Sequence, residues 1–233
     1  MPYWLSIMSS NRPDNVVPMT DKVGAATWYV PEDQFSLYRQ AGASALRDGP
    51  YPVAKARNEA LADAFECNAI CVQLDDDLKR TWFVGDGRKS DVAPNLALDA
   101  LVEQLEESEF YLAGVSPTDN AYFARGGTKL FVIGSAMAVK PCPLVHDVRL
   151  LVKEDYDYTC QHILAYGGAL RVDNLLFSFT HFTNQGGIEW SKEVNSLAQT
   201  ILYKKWPGWI HPHPRKEQEV SLRLPRRQRT VLT

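Results

Sequence analysis

From Trp4 to Leu74, short apolar runs alternate with stretches of helical period, and this alternation restricts the possible folds more than any other feature of the chain. Trp4-Leu5-Ser6-Ile7-Met8 reads as a buried first strand that stops at the turn formers Ser9-Ser10-Asn11-Arg12-Pro13-Asp14. Ala25 to Val30 is a second β-rich run, ended by Pro31. Pro31-Glu32-Asp33 then opens a helix through Ala41, with proline and acids where a helix start favours them. Ala54 to Phe65 is alanine-rich with a helical period, and Ala69-Ile70-Cys71-Val72-Gln73-Leu74 is continuous enough to be a strand buried on both faces. Such alternation predicts an α/β fold, a mostly parallel central sheet with helices on both sides. Ligands of such sheets bind beyond the carboxyl ends of the strands, so the loops after Met8 and from Asp75 are where a site is expected.

The remaining chain continues the pattern. Asn95 to Phe110 is an amphipathic acidic helix, Leu112–Val115 and Lys129–Ile133 read as strands, and Tyr156–Tyr166 and Lys192–Lys204 as helices. From Trp206 on, prolines and basic residues predict an extended tail or flap. With 233 residues, 45% hydrophobic and 23% charged, the chain is neither disordered nor a coiled coil. Its net charge of -3 argues against a coat of positive charge, yet Arg223, Arg226, Arg227 and Arg229 gather at the end. The first residues lack a signal-peptide pattern and no apolar run approaches the ~20 residues of a membrane span, so a cytoplasmic protein without a membrane partner is expected. Four cysteines without a CxxC pair suggest reduced thiols, mostly buried.

Asp75-Asp76-Asp77 follows a buried strand directly, and three carboxylates forced together there need a cation, basic partners or protons. A divalent ion suits them, with Asp75 and Asp77 on one side of an extended segment and Asp76 on the other. A solvated acidic turn capping a helix at Leu78 is the plainer alternative. Arg57 offers a fork to phosphate and Asn58 an amide to a base or ribose, although both also suit an ordinary helix surface. In Lys153-Glu154-Asp155-Tyr156-Asp157 an acid is placed either to act as general base or to complement a helix N-terminus. His181, in a polar glycine-bearing loop, is a candidate to complete a metal shell or to meet a pyrophosphate.

Ser9-Ser10-Asn11-Arg12-Pro13, Trp28-Tyr29-Val30-Pro31-Glu32, Ala56-Arg57-Asn58 and Val72-Gln73-Leu74-Asp75-Asp76-Asp77-Leu78 together resemble nucleotide-sugar glycosyltransferases of the GT-A fold. More narrowly they resemble the phage TET-associated glycosyltransferases, which decorate 5-hydroxymethylpyrimidines in DNA. The likeness runs on through Gly134-Ser135-Ala136-Met137, Lys153 to Asp157 and Gly186-Gly187, covering about residues 4 to 190. It departs from the family in its aspartate triplet, where many relatives have two separated aspartates, and in its tail. It implies a domain over residues 1–205, with a nucleotide part to about 115 and an acceptor part from 116, followed by a basic tail over 206–233. In that frame Ser9, Arg12, Arg57, Asn58, Asp75 and Asp76 form the nucleotide-binding set, and Asp75, Asp77 and His181 hold Mn²⁺ or Mg²⁺. Asp155, with Glu154 behind it, lies near the acceptor. The implied donor is a nucleoside-diphosphate sugar, first of all a UDP-sugar, and the implied acceptor is DNA carrying hydroxymethylated pyrimidines, as in an infected bacterial host. The arginine-rich tail, with Lys204 and Lys205, would contact its phosphates, and Trp206 and Trp209 its bases. The rivals are a metal-dependent nucleotidyltransferase and a non-catalytic nucleic-acid-binding module.

Overall fold

The structure, a computed structural model, describes residues 2–86, 88–180 and 191–225. In chain order its elements are β1 (Tyr3–Met8), α1 (Val16–Val23), β2 (Thr27–Val30), α2 (Phe35–Gln40), β3 (Ala45–Asp48), α3 (Val53–Glu66), β4 (Ile70–Asp75), β5 (Leu78–Gly85) and β6 (Arg88–Val92). These are followed by α4 (Pro94–Glu107), β7 (Leu112–Gly114), β8 (Ala136–Val139), α5 (Glu154–Tyr166), β9 (Leu170–Arg171), β10 (Leu175–Phe179), α6 (Lys192–Lys205), β11 (Ile210–Pro212) and β12 (Val220–Leu222).

The main sheet has the order β3-β2-β1-β4-β8-β7-β9. Pairings β1–β2, β2–β3, β1–β4 and β7–β9 are parallel, and β8 alone runs against its neighbours. The architecture is therefore α/β with a mostly parallel sheet flanked by helices, as expected from the sequence. Side chains alternate across the sheet and divide the core in two. Leu5 and Ile7 of β1 and Ile70, Val72 and Leu74 of β4 face α1 and α4, where Leu98, Leu101 and Leu105 are wholly buried. Each such leucine contributes about 1.5–3 kcal/mol. Met8 and Cys71 face the other way, against Ala56, Ala60 and Ala64 of α3, whose small side chains let the helix lie close on the sheet. Gln73 shares that α3 face and is fully buried.

A smaller antiparallel sheet, β10-β5-β6, packs beside the first. Leu78 opens β5, so the acidic turn caps no helix. The expected strand over 129–133 is absent: apart from one bridge at Lys129, its backbone is engaged by a side chain, the Thr159 hydroxyl bonding both Val132 N–H (3.2 Å) and Val132 C=O (3.3 Å).

The segment after Trp206 also differs from its expectation of an extended tail. β11 and β12 pair as a hairpin, and Ile210 and Val220 join Leu150, Val152, Leu202 and Trp206 in a third core cluster. What reads in sequence as proline and basic residues is held by apolar positions spaced among them. Among the described residues no helix is long and apolar enough to cross a membrane. Cys71 and Cys160 are buried, Cys142 is half-buried and Cys67 is exposed, all as free thiols.

Candidate active site at the carboxyl edge of the sheet

The parallel strands β1, β2, β3 and β4 end at Met8, Val30, Asp48 and Asp75, and the residues just beyond them border one cavity of about 760 Å³. The amino end of the opposed strand β8, through Ile133, Gly134 and Ser135, forms the facing edge. α5 adds Glu154 and Asp155, and the loop between β11 and β12 adds Lys216 and Glu219. Of the residues singled out in the sequence, Ser9, Arg12, Arg57, Asp75, Asp76, Asp77, Glu154 and Asp155 all border this cavity.

They form two clusters. In the first, Arg57 is almost wholly buried and its fork is fully engaged: Nε donates to Glu154 (3.2 Å), Nη1 to Gln73 (3.2 Å) and Nη2 to Asp75 (3.1 Å). Burial works against its charge, but Asp75, Glu154 and Asp155 outweigh this and raise its pKa. The Gln73 amide returns a hydrogen bond to the Arg57 carbonyl (3.0 Å), which fixes the guanidinium to its own helix. Arg57 therefore organises acids, where the sequence reading gave its fork to phosphate. Asn58 is corrected as well. Its amide closes a pair of hydrogen bonds with the backbone of His146 (3.0 and 2.8 Å) and does not border the cavity.

In the second cluster Arg12 Nη1 donates to Asp76 at 2.8 Å and lies 3.8 Å from Asp77. Ser9 Oγ bonds both Asp76 and the Tyr38 hydroxyl. Asp76 is thus buried and held internally; Asp76 and Asp77 form a turn between β4 and β5 rather than the extended segment expected, and all three aspartates border the same cavity. Burial raises its pKa against the pull of Ser9 and Arg12. Asp77 has less compensation. Burial, then the charges of Asp75 and Asp76, push it up to about 7.

Asp155 sits in the first turn of α5, where Oδ2 accepts from Gly134 N–H (3.0 Å) and Oδ1 from Tyr156 N–H (2.9 Å). Burial and the adjacent Glu154 charge push it up to about 7. This is the helix-terminus placement weighed in the sequence, with both carboxylate oxygens accepting backbone N–H groups at the cavity edge. Gly134 admits the arrangement because a Cβ there would lie 3.1 Å from Arg57 Nη2 and 3.3 Å from Asp155 Cβ.

Sequence reasoning missed Gln73, Tyr38, Lys216 and Glu219. Gln73 carried a signal, since a polar residue inside an apolar strand must find a buried partner. The tail residues carried none, because their approach depends on the hairpin. Lys153, the left-handed residue before α5 (φ 63°), reaches Glu219 at 3.1 Å and ties that hairpin to the cavity wall. His181, Arg226, Arg227 and Arg229 lie outside the described residues.

Two supports for a nucleic-acid surface are corrected. Trp206 is buried and donates from Nε1 to Asp157 (2.7 Å), and Trp209 stacks on it. Lys205 pairs with Asp147 (3.1 Å) and Asp157 (2.8 Å). Lys204 and Arg223 remain exposed.

No protein-family model matches the chain, and no curated protein matches it. Among solved structures it is similar to mannose-1-phosphate geranyltransferase from Thermus thermophilus, at 14% identity and a TM-score of 0.38, over 76% of this chain. The chain spans 57% of the length of that structure. A similarity so distant leaves the site to be read from its own residues.

Proposed function

We propose that this chain is a metal-dependent glycosyltransferase that moves a sugar from a nucleoside-diphosphate sugar, a UDP-sugar foremost, to a hydroxyl acceptor. One observation carries the reading: acids and arginines far apart in sequence border a single cavity at the carboxyl edge of a mostly parallel sheet. The donor chemistry suits a hard cation. Asp75 and Asp77 both border the cavity, and a divalent ion there would offset the burial of the Asp77 charge first and its repulsion by Asp75 and Asp76 second. Among the described residues no group of three or more His, Cys, Asp or Glu could hold a metal ion, so an ion at Asp75 and Asp77 would need water and substrate phosphates for the rest of its shell. Asp75 and Asp77 would hold Mn²⁺ or Mg²⁺, which when bound neutralises charge on the departing diphosphate.

The chain's own residues do the rest. Ser9 and Arg12 border the nucleotide and keep Asp76 out of the way. Arg57 holds Asp75 and Glu154 apart from each other's charge. Asp155 takes the acceptor proton as the acceptor oxygen bonds to the anomeric carbon, while the bond from that carbon to the diphosphate oxygen breaks and its electron pair leaves with the nucleoside diphosphate. A base poised near neutral pH suits this task and supplies roughly 10²–10⁴-fold.

The acceptor class implied by the family resemblance is a 5-hydroxymethylpyrimidine in DNA, which would have to leave the base stack. Exposed Lys204 and Arg223 are the described residues that support a phosphate contact. The test is incubation with a panel of nucleotide sugars and Mn²⁺, with and without DNA carrying hydroxymethylated bases. Released nucleotide and the mass of digested nucleosides are then measured. A nucleoside diphosphate and a nucleoside heavier by one sugar are expected. Pyrophosphate release points to nucleotidyl transfer, and unchanged nucleoside masses with every donor overturn the DNA acceptor.

A further inference from the structure

The cavity wall beside Asp155 carries an aromatic stack that the mechanism does not use. Phe131 and Tyr156 both border the main cavity, and their rings lie 3.8 Å apart and 8° from parallel. Tyr156 packs against the third core cluster, whereas Phe131 is half-buried and belongs to none of the three core clusters. Aromatic rings attract one another in offset stacks, so a ring at a cavity wall with a second ring behind it is a platform for a third flat ring. The platform is tied down on several sides. Arg171 donates from Nη1 to the Phe131 carbonyl (3.0 Å) and from Nε to the Arg125 carbonyl (2.7 Å). The Tyr156 hydroxyl donates to the Val220 carbonyl (2.9 Å), and its N–H to Asp155 Oδ1 (2.9 Å). The stack is thus fixed both to the acid of the chemical step and to the hairpin of β11 and β12.

That hairpin brings a cation to the same cavity. Lys216 is exposed and, unlike Lys204 and Arg223, borders the cavity, while Glu219 of the same loop is paired with Lys153. A flat aromatic platform with positive charge beside it is how proteins hold a nucleotide outside a duplex, stacking for the base and cation for the phosphate. An uncharged sugar would lie on Phe131 but leave Lys216 without a counterpart. The donor's base has a separate aromatic neighbour in Tyr51, 54% exposed at the cavity wall just beyond β3.

We propose that Phe131, backed by Tyr156, is the acceptor platform: it stacks a pyrimidine base held outside the duplex, with Lys216 on that nucleotide's phosphate and the base's hydroxyl substituent beside Asp155. This rests on the glycosyltransferase reading of the main cavity and names the residues that select its acceptor.

The test uses the full chain and calorimetric titration. UDP and GDP, each with Mg²⁺, are titrated first. Then 5-hydroxymethyl-2′-deoxycytidine, its 5′-monophosphate and methyl glucoside are titrated at a saturating level of whichever nucleoside diphosphate binds. The parent should bind the monophosphate more tightly than the nucleoside, and the glucoside not measurably. Phe131→Leu keeps an apolar side chain without a flat face and should weaken both pyrimidine probes by about tenfold, a typical loss for one base stack. Phe131→Tyr should restore them to within about twofold, because the flat face returns. Lys216→Gln, on an exposed loop, should bring the monophosphate down to the affinity of the nucleoside and leave the nucleoside unchanged. Affinity for the nucleoside diphosphate should be the same in all three variants. Pyrimidine binding that is absent, equal in parent and Phe131→Leu, or not restored by Phe131→Tyr overturns the platform. So does binding of the glucoside in place of the pyrimidine probes, or a loss in Phe131→Leu that falls on the nucleoside diphosphate instead. A monophosphate advantage that survives Lys216→Gln overturns the phosphate contact. Failure of the parent to bind either nucleoside diphosphate in the first titration overturns the reading of the main cavity instead.

Discussion

Arg57 and Arg12 both reach the acidic turn, but they hold their carboxylates under different conditions. Arg57 has a side chain 4% exposed and engages three partners, two of them charged. Arg12 has a side chain 20% exposed, comes from a surface loop and shares Asp76 with Ser9. The first cluster is part of the core in which β4, α3 and α5 meet. The second opens to the rim through Arg12, over a buried Asp76. The difference shows at Asp77: Arg57 pairs with Asp75, which stays 34% exposed at the cavity, and Arg12 and Ser9 hold Asp76, while the ion pair given for Asp77 among the described residues is the looser one to Arg12 at 3.8 Å.

The comparison breaks most plainly at Arg57. Arg57→Met should cost about 3–5 kcal/mol, because it leaves Glu154, 5% exposed, without its cation in a dry setting. Arg57→Lys should recover little of this, since a point charge cannot serve Glu154, Gln73 and Asp75 together. Urea denaturation monitored by tryptophan fluorescence reads both, and losses under about 1 kcal/mol would show that the cluster is not core.

Asp77→Asn should act in the opposite direction. Its proton is held up to about pH 7 in the fold but only to about pH 4 in the unfolded chain. The fold therefore prefers the protonated form, and this group takes stability away as pH rises from about 4 to about 7. In metal-free protein at pH 8 the amide should be more stable, on the order of 2 kcal/mol, with the advantage gone below about pH 4. Metal-dependent turnover should vanish in the same variant. A flat stability difference across that pH range would mean that the carboxylate is not crowded.

The core cluster was partly legible in advance and the rim cluster less so. β1, α3 and β4 declared themselves through apolar runs and alanine spacing, and the parallel sheet placed their ends together, which is why Ser9, Arg57 and Asp75 to Asp77 fall at one cavity. Which side chain each of them meets was not legible. Asn58 follows Arg57 by one residue and therefore projects about 100° around α3, toward His146 and away from the cavity. The hairpin of β11 and β12 was hidden because its core contribution comes from isolated Ile210 and Val220 among prolines and charges. Strand β8 was hidden because Ala136-Met137-Ala138-Val139 is only four residues long, wholly apolar and buried, with no alternation to mark it as a strand.

Gly134→Ala tests how tightly the core cluster constrains catalysis. The added methyl would meet Arg57 Nη2 at 3.1 Å and Asp155 Cβ at 3.3 Å, which demands movements of a few tenths of an ångström rather than a rebuilt backbone. The stability cost should therefore be near the low end of overpacking, about 1 kcal/mol. Turnover should fall further than that, because the shift falls on the Gly134 N–H that positions Asp155 Oδ2. A KM for donor that stays constant while kcat drops is the expected split, and a loss confined to KM would move Asp155 out of the chemical step.

The rim offers the smallest effect and the sharpest separation. Arg12→Lys keeps a cation near Asp76, and Ser9 Oγ continues to donate to that carboxylate, so stability should change by less than about 1 kcal/mol, as for other part-exposed pairs. Lysine cannot reach Asp76 and a ligand phosphate through one planar fork, so nucleoside-diphosphate affinity should fall several-fold in calorimetry while the melting temperature stays within a few degrees. The reverse result, a large drop in melting temperature with nucleotide affinity intact, would make Arg12 a second Arg57, and Asp77 would then lose its claim to be a carboxylate held loosely enough for an ion.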